Sequence, residues 1–190
     1  MDLISSISNP NTLYSRPMVL SKPSPVPSER GFYGWFFREI PGIVPTDKCQ
    51  TKGDLTLLYA GISPSREQSR QNLRKRIGKH YRGNAYGSTL RRSLGVLLTD
   101  ESGFPLRRVG SGKCMTFTSL GEKWLDIWME KNAFVCWCEH PSPWDVEASI
   151  LRALSLPLNI QDNTHHAFAK VLSGLRTDAA LRARQEPITR

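Results

Sequence analysis

Long apolar runs are missing from this chain of 190 residues: none approaches the roughly 20 needed to cross a bilayer. The first residues, Met1-Asp2-Leu3-Ile4, lack the basic start and sustained apolar core of a secretory leader, so a cytoplasmic setting is expected. Cysteine is sparse as well. Cys49, Cys114, Cys136 and Cys138 form no framework of the kind that staples small secreted domains, and they are read as reduced thiols. Cys136, Cys138 and His140 alternate, so on a strand they share one face with neighbours about 6.5 Å apart. That spacing is awkward for a tetrahedral zinc site with bonds near 2.3 Å, so half-buried strand cysteines are expected. Acids are outnumbered: 17 Asp and Glu face 26 Lys and Arg, for a net charge of +9. The imbalance favours a polyanionic partner, nucleic acid or an anionic membrane surface.

What is present is an ordinary globular composition, 39% hydrophobic and 9% aromatic, enough for one well-buried domain. Residues 1–29 hold five prolines and seven serines, which disfavour helix and central strand alike, so a flexible N-terminal arm is expected. At Gly31 the character changes to the aromatic run Gly31-Phe32-Tyr33-Gly34-Trp35-Phe36-Phe37, a core strand by propensity. Pro41, Gly42, Pro45 and Gly53 mark an excursion before a second strand over Leu55 to Ile62, antiparallel to the first.

A helix follows over the basic segment that ends in His80. Leu73 and Ile77 are four apart and share its buried face, while Arg76 and His80 lie at the rim of that face, in reach of a cleft. Leu90, Leu94, Leu97 and Leu98 recur at helical spacing, and a glycine-rich loop or hairpin spans 100–118. A further helix carries Trp124, Ile127 and Trp128 on one side, and Phe134 to His140 reads as a strand. Ser142-Pro143 opens a helix through Ile150 and Leu154. Residues 161–190, with Phe168, Val171, Leu172 and Leu175 at helical spacing, form a C-terminal helical extension on the core, where His165 and His166 are read as structural.

Two features point to chemistry. From Arg66 to Arg92 there are nine Lys or Arg residues, namely Arg66, Arg70, Arg74, Lys75, Arg76, Lys79, Arg82, Arg91 and Arg92, against the single acid Glu67. Such a run repels itself unless an anion lies against it, which argues for a phosphate-contacting face. Glu147 shares a helix face with Ile150 and Leu151, where a lone carboxylate is costly; it is either a metal ligand or the partner of a buried arginine.

Gly31-Phe32-Tyr33 and Tyr59-Ala60-Gly61 resemble the two tripeptides that name the GIY-YIG nuclease family. Leu73-Arg74-Lys75-Arg76-Ile77 resembles the helix signature of that family, with His80 four residues beyond the arginine. Glu147 resembles its metal-binding glutamate, with Asn159 twelve residues later. The resemblance covers residues 30–160 and implies an α/β domain with a small, largely antiparallel three-stranded sheet flanked by helices. It implies an endonuclease that cuts nucleic acid, DNA before RNA, with Mg2+ or Mn2+ as cofactor and no membrane partner. The implied catalytic residues are Tyr33, Tyr59, Arg76, His80 and Glu147. Glu147 holds the metal, Arg76 holds the phosphate, and Tyr33, aided by Tyr59 or His80, orients or deprotonates the attacking water. Arg66, Arg70, Arg74, Lys75, Lys79, Arg82, Arg91, Arg92 and Asn159 are the implied substrate-binding residues.

The sequence departs from the family pattern at Ile62, where many members carry lysine; Arg66 or Lys79 then supplies the second cation. Insertions at 38–54 and 84–132 resemble those of stand-alone bacterial members. The rival reading is a nucleic-acid-binding module of the same fold whose catalysis has lapsed. Oligomeric state is left open.

Overall fold

The aromatic run is strand β1, Gly31–Phe37, and all seven of its residues are buried in the computed structural model, which describes residues 3–189. Both of its faces and both of its edges are covered, which is why a near-continuous apolar run suits it. Two short helices precede it, α1 (Leu3–Ser8) and α2 (Arg16–Leu20), and β2 (Thr51–Lys52) and β3 (Leu55–Ser63) follow. Then come α3 (Leu73–Arg82), α4 (Thr89–Leu97), α5 (Thr99–Ser102), the hairpin strands β4 (Arg107–Val109) and β5 (Cys114–Thr116), and α6 (Thr118–Asn132). Strand β6 (Ala133–Glu139) and helices α7 (Pro143–Ala153) and α8 (Ala167–Gln185) complete the described chain. Among the described residues no helix is long and apolar enough to cross a membrane.

The central sheet is antiparallel with strand order β2-β3-β1-β6, four strands where three were expected. The extra strand is β2, only two residues long and set on β3 by a two-residue loop, Gly53-Asp54, with Gly53 at φ 59°. Two residues are too few to carry a hydrophobic pattern, so the segment reads as loop in the sequence; the Gly-Asp pair is its one local signal.

Helices cover both faces of the sheet. Phe32, Phe36, Leu57, Ala60 and Ile62 pack with Ile150 and Leu151 of α7 and Ile7 of α1. Tyr33, Trp35, Phe37, Leu58 and Tyr59 face the other way, into the core shared with α3, α4, α6 and α8. The split depends on a bulge. Trp35 pairs with Tyr59 but Phe36 pairs with Leu57, so Leu58 is the extra residue and the alternation of β3 shifts by one. Tyr59 is thereby aimed to the same side as Tyr33. On α6 the buried stripe is Leu125, Trp128 and Met129, whereas Ile127, expected beside them, sits off that stripe and is exposed.

Residues 3–29 are packed instead of forming a flexible arm. Ile7 and Val26 are fully buried, and Tyr14 exchanges backbone hydrogen bonds with Val135 at 2.9 and 3.0 Å, closing the outer edge of β6. The prolines are compatible because this segment runs along an edge and never enters the sheet interior. The opposite edge is closed by the chain after α7. Leu158 N–H donates to Leu58 O at 3.0 Å, and the Asn159 amide accepts from Ala60 N at 3.0 Å and donates to Ala60 O at 2.8 Å.

Arg91, expected on the phosphate-binding face, is turned inward and fully buried. Its guanidinium donates to Glu122 Oε2 at 2.8 Å and to Asp126 Oδ1 at 2.6 Å, both on α6, and to the carbonyls of His80 and Tyr81 at the end of α3. Arg16 of α2 reaches the same Asp126 at 3.3 Å, so one ionic cluster ties α2, α3, α4 and α6. Removing the central cation leaves half-buried carboxylates and takes this donor from the carbonyls of His80 and Glu122, while the Tyr81 carbonyl keeps Arg16 Nε at 3.3 Å. Arg91→Ala is expected to lower unfolding free energy by about 3–5 kcal/mol in urea titrations, where a change within 1 kcal/mol would show that the cluster is held by other contacts.

Candidate active site

A cleft of about 650 Å³ opens where β3, α3, α7 and α8 meet. Tyr33 and Tyr59 enter it from adjacent strands, Arg76 from α3, Glu147 from α7, and Arg92 from α4. Each position follows from local structure. Tyr33 pairs with Gly61 across β1 and β3, and its ring lies over that glycine: a Cβ there would come 2.6 Å from the Tyr33 hydroxyl. The Asn72 side chain caps α3 by accepting from Lys75 N–H at 2.9 Å, and the burial of Leu73 and Ile77 then points Arg76 toward Tyr33. In α7 Pro143 occupies the first turn, with Ile150 and Leu151 seated in the core, which leaves Glu147 half-buried at the cleft wall.

The centre is a hydrogen-bonded chain. Arg76 Nε donates to the Tyr33 hydroxyl at 3.3 Å. The same oxygen lies 3.0 Å from His80 Nε2, and His80 Nδ1 lies 2.7 Å from Ser88 Oγ. Ser88 is the N-cap of α4, accepting from Arg91 N–H at 3.1 Å. With the Tyr33 oxygen accepting from Arg76, its own proton is free to go to His80 Nε2, an arrangement in which the imidazole proton sits on Nδ1, facing Ser88. Tyr59 lies alongside, its hydroxyl 3.4 Å from Thr89 Oγ1.

Burial dominates the electrostatics. It raises the Tyr33 hydroxyl well above its ordinary value, Tyr59 adds to the rise, and Arg76 opposes it, so Tyr33 is a neutral phenol. Burial, then the nearby Arg76, Arg91 and Lys79, push His80 well below 6.5, so the imidazole is neutral. Burial, then Asp162, raise the Glu147 carboxyl. Glu147 makes no hydrogen bond or salt bridge among the described residues, so of the two readings open in the sequence the buried-arginine partner has no counterpart. A half-buried carboxylate in an open cleft with no protein cation on it fits a hard divalent ion, which keeps water ligands and needs one or two carboxylates.

The other expected site residues are dispersed. His80 does not line the cleft; it is wholly buried behind Tyr33. Asn159 lines it, but its amide is committed to the backbone of Ala60. Arg66, Arg70, Arg74, Lys75, Lys79 and Arg82 are exposed and outside the cleft, and Arg74 Nε donates to Val26 O at 2.6 Å. Of the nine cations in the basic run, only Arg76 and Arg92 line the cleft. Residues that the sequence reading passed over complete the wall: Asp162, and Ser173, Arg176, Thr177 and Arg184 of α8. The α8 residues fall three, four or seven apart on one side of the helix, a stripe visible in the sequence but overshadowed by the apolar stripe of Phe168 and Leu172. The thiol of Cys136, pushed up to about 12 by burial, faces the carbonyls of Ile7 and Gly34.

Residues 31–178, well over half of the chain, match the family model of the GIY-YIG catalytic domain. The match begins at β1 and ends within α8. Comparison with curated proteins and with solved structures gives no match.

The buried neutral imidazole makes stability depend on pH. Unfolded, His80 takes up a proton below about pH 6.5; folded, it does not, so unfolding is favoured as pH falls, by up to about 1.4 kcal/mol per unit. Urea titrations at pH 7.5 and 5 are expected to show the stability advantage of wild type over His80→Gln shrinking at the lower pH. Parallel losses in the two proteins would mean that His80 charges in place.

Proposed function

The chain belongs to the GIY-YIG nuclease family, and we propose that it is a magnesium-dependent endonuclease, with manganese as the substitute ion, hydrolysing phosphodiester bonds in DNA. The observation that carries this reading is the convergence of Tyr33, Arg76 and Glu147, from a strand and two helices, on one cleft in which Glu147 has no protein cation.

Glu147 would hold the metal ion. When bound, a divalent cation supplies Lewis-acid polarisation of the phosphoryl oxygen and charge to steady the leaving oxygen. The protein's own groups do the rest. Arg76, fixed through Nε by the Tyr33 hydroxyl, presents a guanidinium with no carboxylate partner among the described residues, suited to holding the scissile phosphate and offsetting its growing charge. The Tyr33 oxygen keeps a second lone pair that accepts a hydrogen bond from the attacking water and so orients it. His80 serves as a positioning residue: with its pKa lowered it is a poor resting place for a proton, and its role is to hold the Tyr33 proton away from the cleft so that the lone pair faces water. Tyr59 supports the same wall through Thr89.

The net charge of +9 and the exposed cations of α3 support a nucleic-acid substrate and suit contacts to phosphates beside the cleft. The test is cleavage of supercoiled, linear, branched and single-stranded DNA, with RNA alongside, with and without magnesium. Wild type is expected to cut DNA only with the metal. Tyr33→Phe is expected to lose about 10²- to 10⁴-fold in rate, and Glu147→Gln to fall to background with weakened magnesium binding in calorimetry. A wild type that binds these substrates but cuts none would establish the lapsed binding module instead.

A further inference from the structure

Arg91 and Arg92 are adjacent in sequence and have opposite fates. Arg91 is buried against two carboxylates. Arg92 lines the cleft, and among the described residues its guanidinium makes no salt bridge and no hydrogen bond, although its Nε is buried. Arg176, on the facing helix α8, lines the same wall half-buried and is equally without a partner. Burial, then the nearby charge of Arg92, disfavour the charged form of Arg176. Arg184, two turns further along α8, is exposed and adds a third unpaired cation at the rim of the wall, outside the half-buried pair. Burying like charges together without a counter-ion is unfavourable, and elsewhere in this fold a buried arginine is fully paired, so the arrangement is one that an anion relieves.

We propose that Arg92, Arg176 and Arg184 form a second phosphate subsite, which grips a phosphodiester of the substrate strand flanking the one held at Arg76. The inference rests on the nuclease reading above and specifies its substrate: a polynucleotide strand with at least two phosphates in the cleft. Three observations define the subsite. Arg76 donates to Tyr33 in the hydrogen-bonded chain, whereas Arg92 and Arg176 reach the cleft from α4 and α8 without such a partner, and Tyr59 neighbours both Arg76 and Arg176. The cleft, at about 650 Å³, has room for more than one phosphodiester. The wall around the arginines also carries the Ser173 hydroxyl, a neutral donor that can add to the stronger guanidinium contacts, while the hydroxyls of Thr177 and Thr89 are engaged by the Ser173 carbonyl and by Tyr59. The shared ligand chemistry is the phosphodiester, so DNA and RNA are compared directly.

The experiment is fluorescence anisotropy of a labelled DNA duplex and its RNA counterpart over a range of salt concentrations without divalent metal. It uses wild type, Arg92→Gln, Arg176→Gln, Arg176→Lys and, as a control on the exposed side of α8, Arg182→Gln. Each Gln variant of Arg92 and Arg176 is expected to reduce the slope of log affinity against log salt by about 1. Arg176→Lys is expected to keep the slope, and Arg182→Gln to leave it within error of wild type. On cleavable DNA, Arg176→Gln is expected to raise KM with kcat within twofold. Because the subsite holds uncompensated like charges, Tm of Arg176→Gln is expected to equal or exceed that of wild type. Wild-type slopes in both Gln variants would overturn the subsite while leaving the nuclease reading in place. A clear fall in Tm for Arg176→Gln would also overturn it, by showing that the arginine is committed to the fold. A wild type that neither binds nor cuts DNA or RNA would remove the nuclease reading, and the subsite with it.

Discussion

Everything at the cleft hangs on the contact between the Tyr33 ring and the bare backbone of Gly61. The two residues face each other across the central strand pair, and a methyl group on Gly61 would press on the Tyr33 hydroxyl. That close approach sets the hydroxyl at the point where Arg76 donates to it and His80 lies behind it. The bulge at Leu58 completes the device by turning Tyr59 onto the same side. A tyrosine buried on the innermost strand is thus fixed by glycine on one side and by two side chains of one helix turn on the other. Little rotamer freedom is left to lose when substrate arrives.

Charge is sorted by depth. The acids of α6 neutralise Arg91 and Arg16 on the far side of α3, which lets the carbonyls at the end of that helix be satisfied and holds His80 in place. No such acids attend Arg76, Arg92 or Arg176 among the described residues. The cleft has carboxylates, Glu147 and Asp162, but neither is paired with those arginines, so positive and negative groups face the same space unneutralised.

The two long central strands and helix α3 are legible in the sequence because local signals coincide there: an aromatic run, and leucine and isoleucine four apart; Tyr33, Arg76 and Glu147, implied by the family resemblance, line one cleft. Local signals fall short where non-local packing decides. Arg91 and Arg92 carry equal charge in an equally basic run, and only the position of α6 makes one a core residue and the other a cleft residue. The offset of His80 from Ile77 predicts a rim position, but α4 closes over that rim and Ser88 binds the ring. Asn159 resembles a substrate ligand, yet its amide matches both polar groups of Ala60 and is used there. The prolines of the first 29 residues disfavour regular structure, which is different from disfavouring contact.

The closure of both sheet edges by distant segments bears on how the chain acquires its structure. The backbone pair between Tyr14 and Val135 and the clasp of Asn159 on Ala60 join residues separated by more than half the chain, and β1 itself pairs with β6 across about a hundred residues. As the chain leaves the ribosome, the β1–β3 hairpin emerges early with one flank of β1 open, and it stays open until α6 and β6 have been synthesised. Such non-local pairing slows folding and leaves an aromatic strand edge waiting. The nascent hairpin is therefore the stage at which this protein is most exposed to strand addition by another chain, and the N-terminal segment, already synthesised and tethered beside it, is the nearest piece able to shield it.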